Sequence, residues 1–196
     1  KKRKKNCTYR YIVYLLIKTM NISCFDDTIP YNVKQHILSF CANSKFILGW
    51  SDGLKIENDK AIPNLHSSWT ENDLEKSNIL PYIIESIDKT PWFTKKSLKS
   101  IKLNLVKSDD VHFIHSHPNE YVALYYVNLN WEDGWYGETI FHDPICLDEV
   151  IFTSLYKPGR IILFDGQIPH SIRPQSIRGP KYRMTLSLFF VDNNTD

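Results

Sequence analysis

The chain has 196 residues, 42% hydrophobic and 23% charged, enough apolar material for a packed core and too much for a long disordered chain. Its net charge is +2, but the first five residues hold five of the 24 basic side chains, leaving 19 basic against 22 acidic in the body. That balance excludes a basic nucleic-acid binder.

Length alone predicts one domain, 1–196. The texture divides it into a helical or mixed support region to about residue 100 and a strand-rich core over about 100–191. The Lys-rich start reads as a disordered terminus or an arbitrary chain start, with a localisation signal or an anionic-surface arm as the functional alternative. Tyr11–Ile17 (YIVYLLI) is far shorter than the ~20 residues that span a bilayer, and NISCFDD after it is no small-residue cleavage site. A helix or strand packed on the domain is expected there. The four cysteines form no CxxC pair, which fits free thiols in a reducing, cytoplasmic setting with no membrane partner.

Tyr31–Ser44 carries Val33, Ile37, Leu38, Phe40 and Cys41 at helical spacing, and Lys45–Trp50 reads as a strand before a Gly/Asn/Asp-rich loop. Thr70 with Asp73 predicts a helix start, and Leu74, Leu80, Ile83, Ile84 and Ile87 continue an apolar stripe that Pro81 kinks or splits. From Leu98 onward the pattern is one of short strands: 98–107, 111–117, 121–129, 138–142, 150–155, 160–165 and 183–191. Their number predicts a mainly β fold, a sandwich or barrel with the early helices packed on one sheet.

No phosphate-binding glycine loop, dinucleotide fingerprint or nucleophile elbow is present. The histidines are the chemical signal. Three of the seven lie within six positions: His112, His115 and His117. On an extended strand, His115 and His117 share a face and can converge on one metal ion, while His112 points the other way. His170 follows the strand IILFD and the turn GQIP, well placed for a barrel mouth. In the last strand Arg183, Thr185 and Ser187 share a face opposite Met184, Leu186, Leu188 and Phe190. An arginine fork with a neighbouring hydroxyl suits a carboxylate. Trp131, Trp135 and Tyr136 around Gly134 either stack on a substrate or cap the core. Asp109 and Asp110 read as solvated turn residues.

The ordered set LYYVN, W…YGET.F, PGR.ILFDG..PH and YR.TLS, preceded by the histidine cluster, resembles the iron(II)/2-oxoglutarate-dependent dioxygenases, most of all their prolyl-4-hydroxylase-like branch. The resemblance covers about residues 100–191. It implies a double-stranded β-helix, the jelly-roll or cupin-like fold, with supporting N-terminal helices. It also implies Fe(II), 2-oxoglutarate and O2 as cofactors, and hydroxylation of a small-molecule or peptidyl substrate. By this likeness His170 is the distal metal ligand, Arg183 grips the far carboxylate of 2-oxoglutarate, and Thr185 and Tyr126 hydrogen-bond it; Arg173 is a second basic candidate. The family's proximal His-x-Asp/Glu triplet is missing. Either His117-Pro118-Asn119 stands in its place, with Asn119 for the carboxylate, or His115-Ser116-His117 does, giving a His115, His117, His170 metal set. Glu120 and Glu138 are more distant carboxylates. The three-histidine set is favoured because imidazole is the better iron ligand. Two alternatives remain: a three-histidine iron dioxygenase that does not use 2-oxoglutarate, and a catalytically inactive jelly-roll ligand-binding domain.

Overall fold

The computed structural model describes residues 21–50, 64–94, 96–110 and 112–193. The Lys-rich start, Tyr11–Ile17 and the loop after Trp50 lie outside the described residues. In chain order the elements are β1 (Ile22–Phe25), α1 (Tyr31–Ala42), β2 (Ile47–Trp50), β3 (Asn64–Trp69), α2 (Glu71–Ser77), α3 (Leu80–Ile87), β4 (Lys96–Val106) and β5 (Tyr121–Tyr126). They continue with β6 (Thr139–His142), β7 (Val150–Ser154), β8 (Ile161–Asp165), β9 (His170–Ile172) and β10 (Arg183–Asp192).

Local chemistry accounts for the helix ends. Thr70 and Asp73 form a reciprocal cap on α2, Asp73 N–H donating to Thr70 Oγ1 at 3.3 Å and Thr70 N–H to Asp73 Oδ2 at 2.8 Å. Such a cap contributes about 1 kcal/mol. Asn78 turns left-handed and ends α2. Pro81 then falls in the first turn of α3, where its missing N–H leaves no hydrogen bond unmade. The proline thus splits the predicted apolar stripe into two helices.

The strands make two antiparallel sheets. The large one has seven strands in the order β1-β8-β5-β10-β4-β3-β2, and the small one has three, β7-β6-β9. Alternation along the central strands decides what each face buries. On the helix side Ala123, Tyr125, Ile161, Leu163, Leu186, Leu188 and Phe190 meet Ile37, Leu74, Ile83 and Ile87 of the three helices. On the other side Val122, Leu124, Tyr126, Ile162 and Phe164 meet Phe141 of the small sheet, with Tyr156 and Ile168. Because both faces of β5 and β8 are covered, YVALYY and IILFD are almost unbroken apolar runs. This is the predicted mainly β jelly roll with helices on one sheet.

Three differences from the sequence reading bear on the site. The strand predicted over 111–117 is not found in the described residues 112–117, which form only an isolated bridge, His115 opposite His170. The two polar-rich or very short strands β3 and β9 carried too little alternation to be read. Asp110 is buried, its Oδ2 accepting from Lys107 N–H at 2.7 Å, and is therefore no solvated turn residue.

Candidate active site

The site lies between the two sheets. Each backbone N–H of His115 and His170 donates to the other's carbonyl, at 3.0 and 2.9 Å, pinning the histidine loop to β9. A second anchor is Gly166, just past β8. His117 N–H donates to Gly166 O at 2.6 Å, and Gly166 N–H donates to Glu120 O at 2.8 Å. A Cβ on Gly166 would stand 2.6 Å from the carbonyl oxygens of both His117 and Glu120. Only glycine lets these backbones approach so closely, which is the local reason for the Asp165-Gly166 turn.

Held in this way, His115, His117 and His170 bring their ligand atoms within 4.8 Å of one another. Their ring centroids lie 4.4 to 5.2 Å apart. His115 Nδ1 is 3.1 Å from Phe113 O, and His170 Nδ1 is 2.8 Å from Ile168 O. A carbonyl can only accept, so in both rings Nδ1 carries the proton and Nε2 keeps its lone pair for a metal. Burial, then the neighbouring His115 ring, holds His170 well below the usual imidazole range, in the neutral, ligating form. Phe164 and Phe141 pack around His170, and Phe189 packs on His117.

Beside the imidazoles opens a pocket whose enclosed part is small, about 40 Å3. Val122, Leu124, Phe164 and Phe189 give it one apolar wall, and Thr139, Thr185, Ser187 and Asn104 give it a polar one. From the predicted polar face of β10, Thr185 and Ser187 line this pocket, and Arg183 and Thr185 are fully buried. Arg183 Nε donates to Gly137 O at 2.8 Å and Nη2 to Thr139 Oγ1 at 3.3 Å, but Nη1 is buried with no partner. Thr185 Oγ1 is buried and unpartnered as well. Tyr126 Oη lies 2.8 Å from Thr139 Oγ1 and 3.2 Å from Ser154 O; a carbonyl only accepts, so the single Tyr126 proton goes to Ser154 O and the Thr139 hydroxyl donates to Tyr126. Two donors, Arg183 Nη1 and Thr185 Oγ1, are therefore left unmet where burial makes an unmet donor costly. An acceptor-only group such as a carboxylate can satisfy both.

The other predicted residues fall as follows. Tyr126 does not line the cavity; it stands behind Thr139, stacked on Tyr156 at 4.2 Å. Thr139 itself was missed by sequence reasoning, its only signal being its place in YGET. His112, set aside on strand parity, lines the cavity because its segment is not a regular strand. Asn119 is exposed in a left-handed turn (φ 64°) and does not line the cavity. Glu120 pairs with Lys99, and Glu138 lies 3.9 Å from Arg173. Arg173 covers the ring of Tyr136 at 3.4 Å, away from the cavity wall. Trp131 stacks on Tyr156 at 3.8 Å and caps the core, whereas Tyr136 is exposed.

No family model and no curated protein matches the sequence. The fold, however, matches solved structures over nearly the whole chain. One is a prolyl hydroxylase from Trichoplax adhaerens in complex with a hypoxia inducible factor oxygen degradation domain peptide fragment (TM-score 0.63, 14% identity, 97% of this chain and 92% of that one). Another is a Pseudomonas putida prolyl-4-hydroxylase (TM-score 0.59, 12% identity, 92% and 99%). A third is HygX from Streptomyces hygroscopicus with nickel and 2-oxoglutarate bound (TM-score 0.66, 6% identity, 92% and 86%). The chain therefore has the jelly-roll fold of the 2-oxoglutarate/iron(II) oxygenases. Prolyl hydroxylases stand among its structural neighbours, so the likeness carried by its motifs holds at the level of the fold.

Proposed function

We propose that the protein is an iron(II)- and 2-oxoglutarate-dependent oxygenase that hydroxylates a small-molecule or peptidyl substrate. His115, His117 and His170 hold the metal. Arg183 and Thr185 hold the far carboxylate of 2-oxoglutarate, and Thr139, hydrogen-bonded to Tyr126, positions Arg183. The observation that carries this reading is a pair of buried, unmet donors on one face of β10, Thr185 lining the pocket and Arg183 two residues before it, together with three imidazoles whose ligand atoms converge. When bound, iron(II), 2-oxoglutarate and O2 supply an oxidant able to break a substrate C–H bond. The chain's own part is to fix the ligand rings by their Nδ1 hydrogen bonds, aim the Arg183 fork, and keep water out with Val122, Leu124, Phe164 and Phe189.

Anaerobic titration with Fe(II) and then 2-oxoglutarate tests the reading. A weak visible charge-transfer band is expected, absent in Arg183→Ala, and iron binding is expected to vanish in His170→Ala. The all-imidazole donor set also favours a second reading, a three-histidine dioxygenase whose substrate itself chelates iron. Fe(II) binding with no response to 2-oxoglutarate would select it. Absence of metal binding at micromolar protein would leave only a ligand-binding domain.

A further inference from the structure

The two sheets leave a seam open along one side. β1 is the outer strand of the large sheet and β7 the outer strand of the small one. Arg160 ties their last residues together. It donates to Asp26, just past β1, at 2.8 and 2.9 Å, and to Ser154 Oγ, at the end of β7, at 3.3 Å. At the other end Ile22 and Ile151 pack on the same cluster between the sheets. The two edge strands therefore run side by side in one sense, with Ile22 and Val150 at the same end.

The β7 side of this seam is apolar and uncovered. Phe152 stands opposite Phe141, their rings 5.8 Å apart, yet Phe141 is fully buried and Phe152 is 36% exposed. Val150 on the same strand is 54% exposed, and Leu155 just after it 62%. Among the described residues no strand pairs with the outer edge of β7, so its alternate N–H and C=O groups face away from β6. A free edge with apolar side chains is a template for one more strand.

The chain just upstream of β1 has the composition and the length to supply it. Tyr11–Ile17 (YIVYLLI) is seven consecutive aromatic, β-branched and aliphatic residues, types that favour strands. Four residues, Lys18–Asn21, join it to Ile22. Four extended residues reach about 13 Å, and packed sheets lie about 10 Å apart, so the connection can cross from the edge of one sheet to the edge of the other. A chain that crosses at the Ile22 end runs back along β7 antiparallel, as every other pair in both sheets does. That direction also sets Lys18, which follows the apolar run, beside Asp148 and Glu149, which precede Val150.

We propose that Tyr11–Ile17 adds to the free edge of β7 as a further strand of the small sheet and closes the seam over Val150 and Phe152. The placement is independent of the oxygenase reading, but it bears on it. Phe152 packs on Phe141, whose ring centroid is 6.0 Å from that of His170, so the added strand keeps water from the back of the imidazole wall.

The test is amide hydrogen exchange on the whole chain, read residue by residue. In the parent, the β7 amides that point away from β6 are expected to be protected about 100-fold or more over open chain. Strand alternation sets Tyr11, Val13, Leu15 and Ile17 on one face and Ile12, Tyr14 and Leu16 on the other. Val13→Asp with Leu15→Asp, and Ile12→Asp with Leu16→Asp, are compared. One pair, the one facing the seam, is expected to abolish that protection, and the other to leave it within about threefold. The Leu186 and Leu188 amides of β10 report in the same samples whether the domain stays folded; where they open too, the milder serine pairs are read instead. Unprotected outer amides in the parent, or equal effects of the two pairs, overturn the placement. Sedimentation at 1–100 µM (roughly the range in which weak dimers form) is expected to give a monomer. A dimer whose β7 protection rises with concentration would assign the edge to a second copy of the chain and overturn the proposal.

Discussion

The two faces of β10 do opposite work with alternate residues of one strand. Toward the helices, Leu186, Leu188 and Phe190 join the helix-side hydrophobic core. Toward the small sheet, Arg183, Thr185 and Ser187 are just as buried but line or flank a cavity, and two of them keep polar atoms with no partner. One face carries only apolar side chains; the other keeps buried donors that a bound acceptor would satisfy. Stability and binding are thus separated by a single residue step along the chain, and that separation can be broken from either side.

The largest effect is expected on the helix side. Leu188→Ala should cost about 2–5 kcal/mol through lost burial and a residual cavity, lowering Tm by about 6–12 °C for a middling value in a chain of this size. Its 2-oxoglutarate affinity should stay within about twofold of the parent. Across the strand, Arg183→Met should do the reverse. Removing a buried, incompletely paired guanidinium leaves Tm of the metal-free protein unchanged or raises it, while 2-oxoglutarate affinity falls about 100-fold. Differential scanning calorimetry with a 2-oxoglutarate titration reads both quantities on the same samples. A matched loss of stability and binding in either variant would show that the faces are not independent.

The same contrast governs what the sequence reveals. Alternation on β10, the Thr70–Asp73 cap and the break at Pro81 are local patterns, and each was legible. So was the set of histidines, because residue identity does not depend on pairing. Their convergence was not legible in the same way. It depends on the His115–His170 bridge and on Gly166 backing the His117 loop, both contacts between distant segments. Strand parity therefore excluded His112 for a reason that does not hold in an irregular loop. Thr139 escaped notice because a hydroxyl acquires meaning only from the Arg183 and Tyr126 groups around it. β3 was hidden by its polar residues: its pairing with β4 gives it order that its own composition does not announce.

Gly166 offers a smaller, sharper cut through the comparison, since it belongs to neither hydrophobic cluster yet backs the loop of the candidate ligand His117. In Gly166→Ala the new methyl meets two backbone oxygens that cannot rotate away, so the His117 loop must shift. Metal affinity is expected to fall about tenfold, in line with losses seen when groups that orient ligands are disturbed. Isothermal titration with Zn(II) or Co(II) measures it. Retained affinity would mean that His117 is not held by this contact.

The smallest expected effect lies away from both faces, at the Asp26–Arg160 pair that ties the segment after β1 to the start of β8. Arg160 Nε and Nη2 donate to the two oxygens of Asp26 at 2.8 and 2.9 Å. These bonds, helped by Lys157, hold the carboxyl at about 2, below its ordinary 3.8. The folded-state value is depressed, so the stabilisation is fully present above about pH 4 and is lost as pH falls toward about 2. With the side chain one-third exposed, screening reduces the contribution to about 1 kcal/mol. Asp26→Asn should therefore lower stability by about that amount at pH 7, and the deficit should shrink between about pH 4 and pH 2. Urea unfolding midpoints across that range measure the difference. A deficit that does not change with pH would mean that packing, and not the ion pair, holds the strand in place.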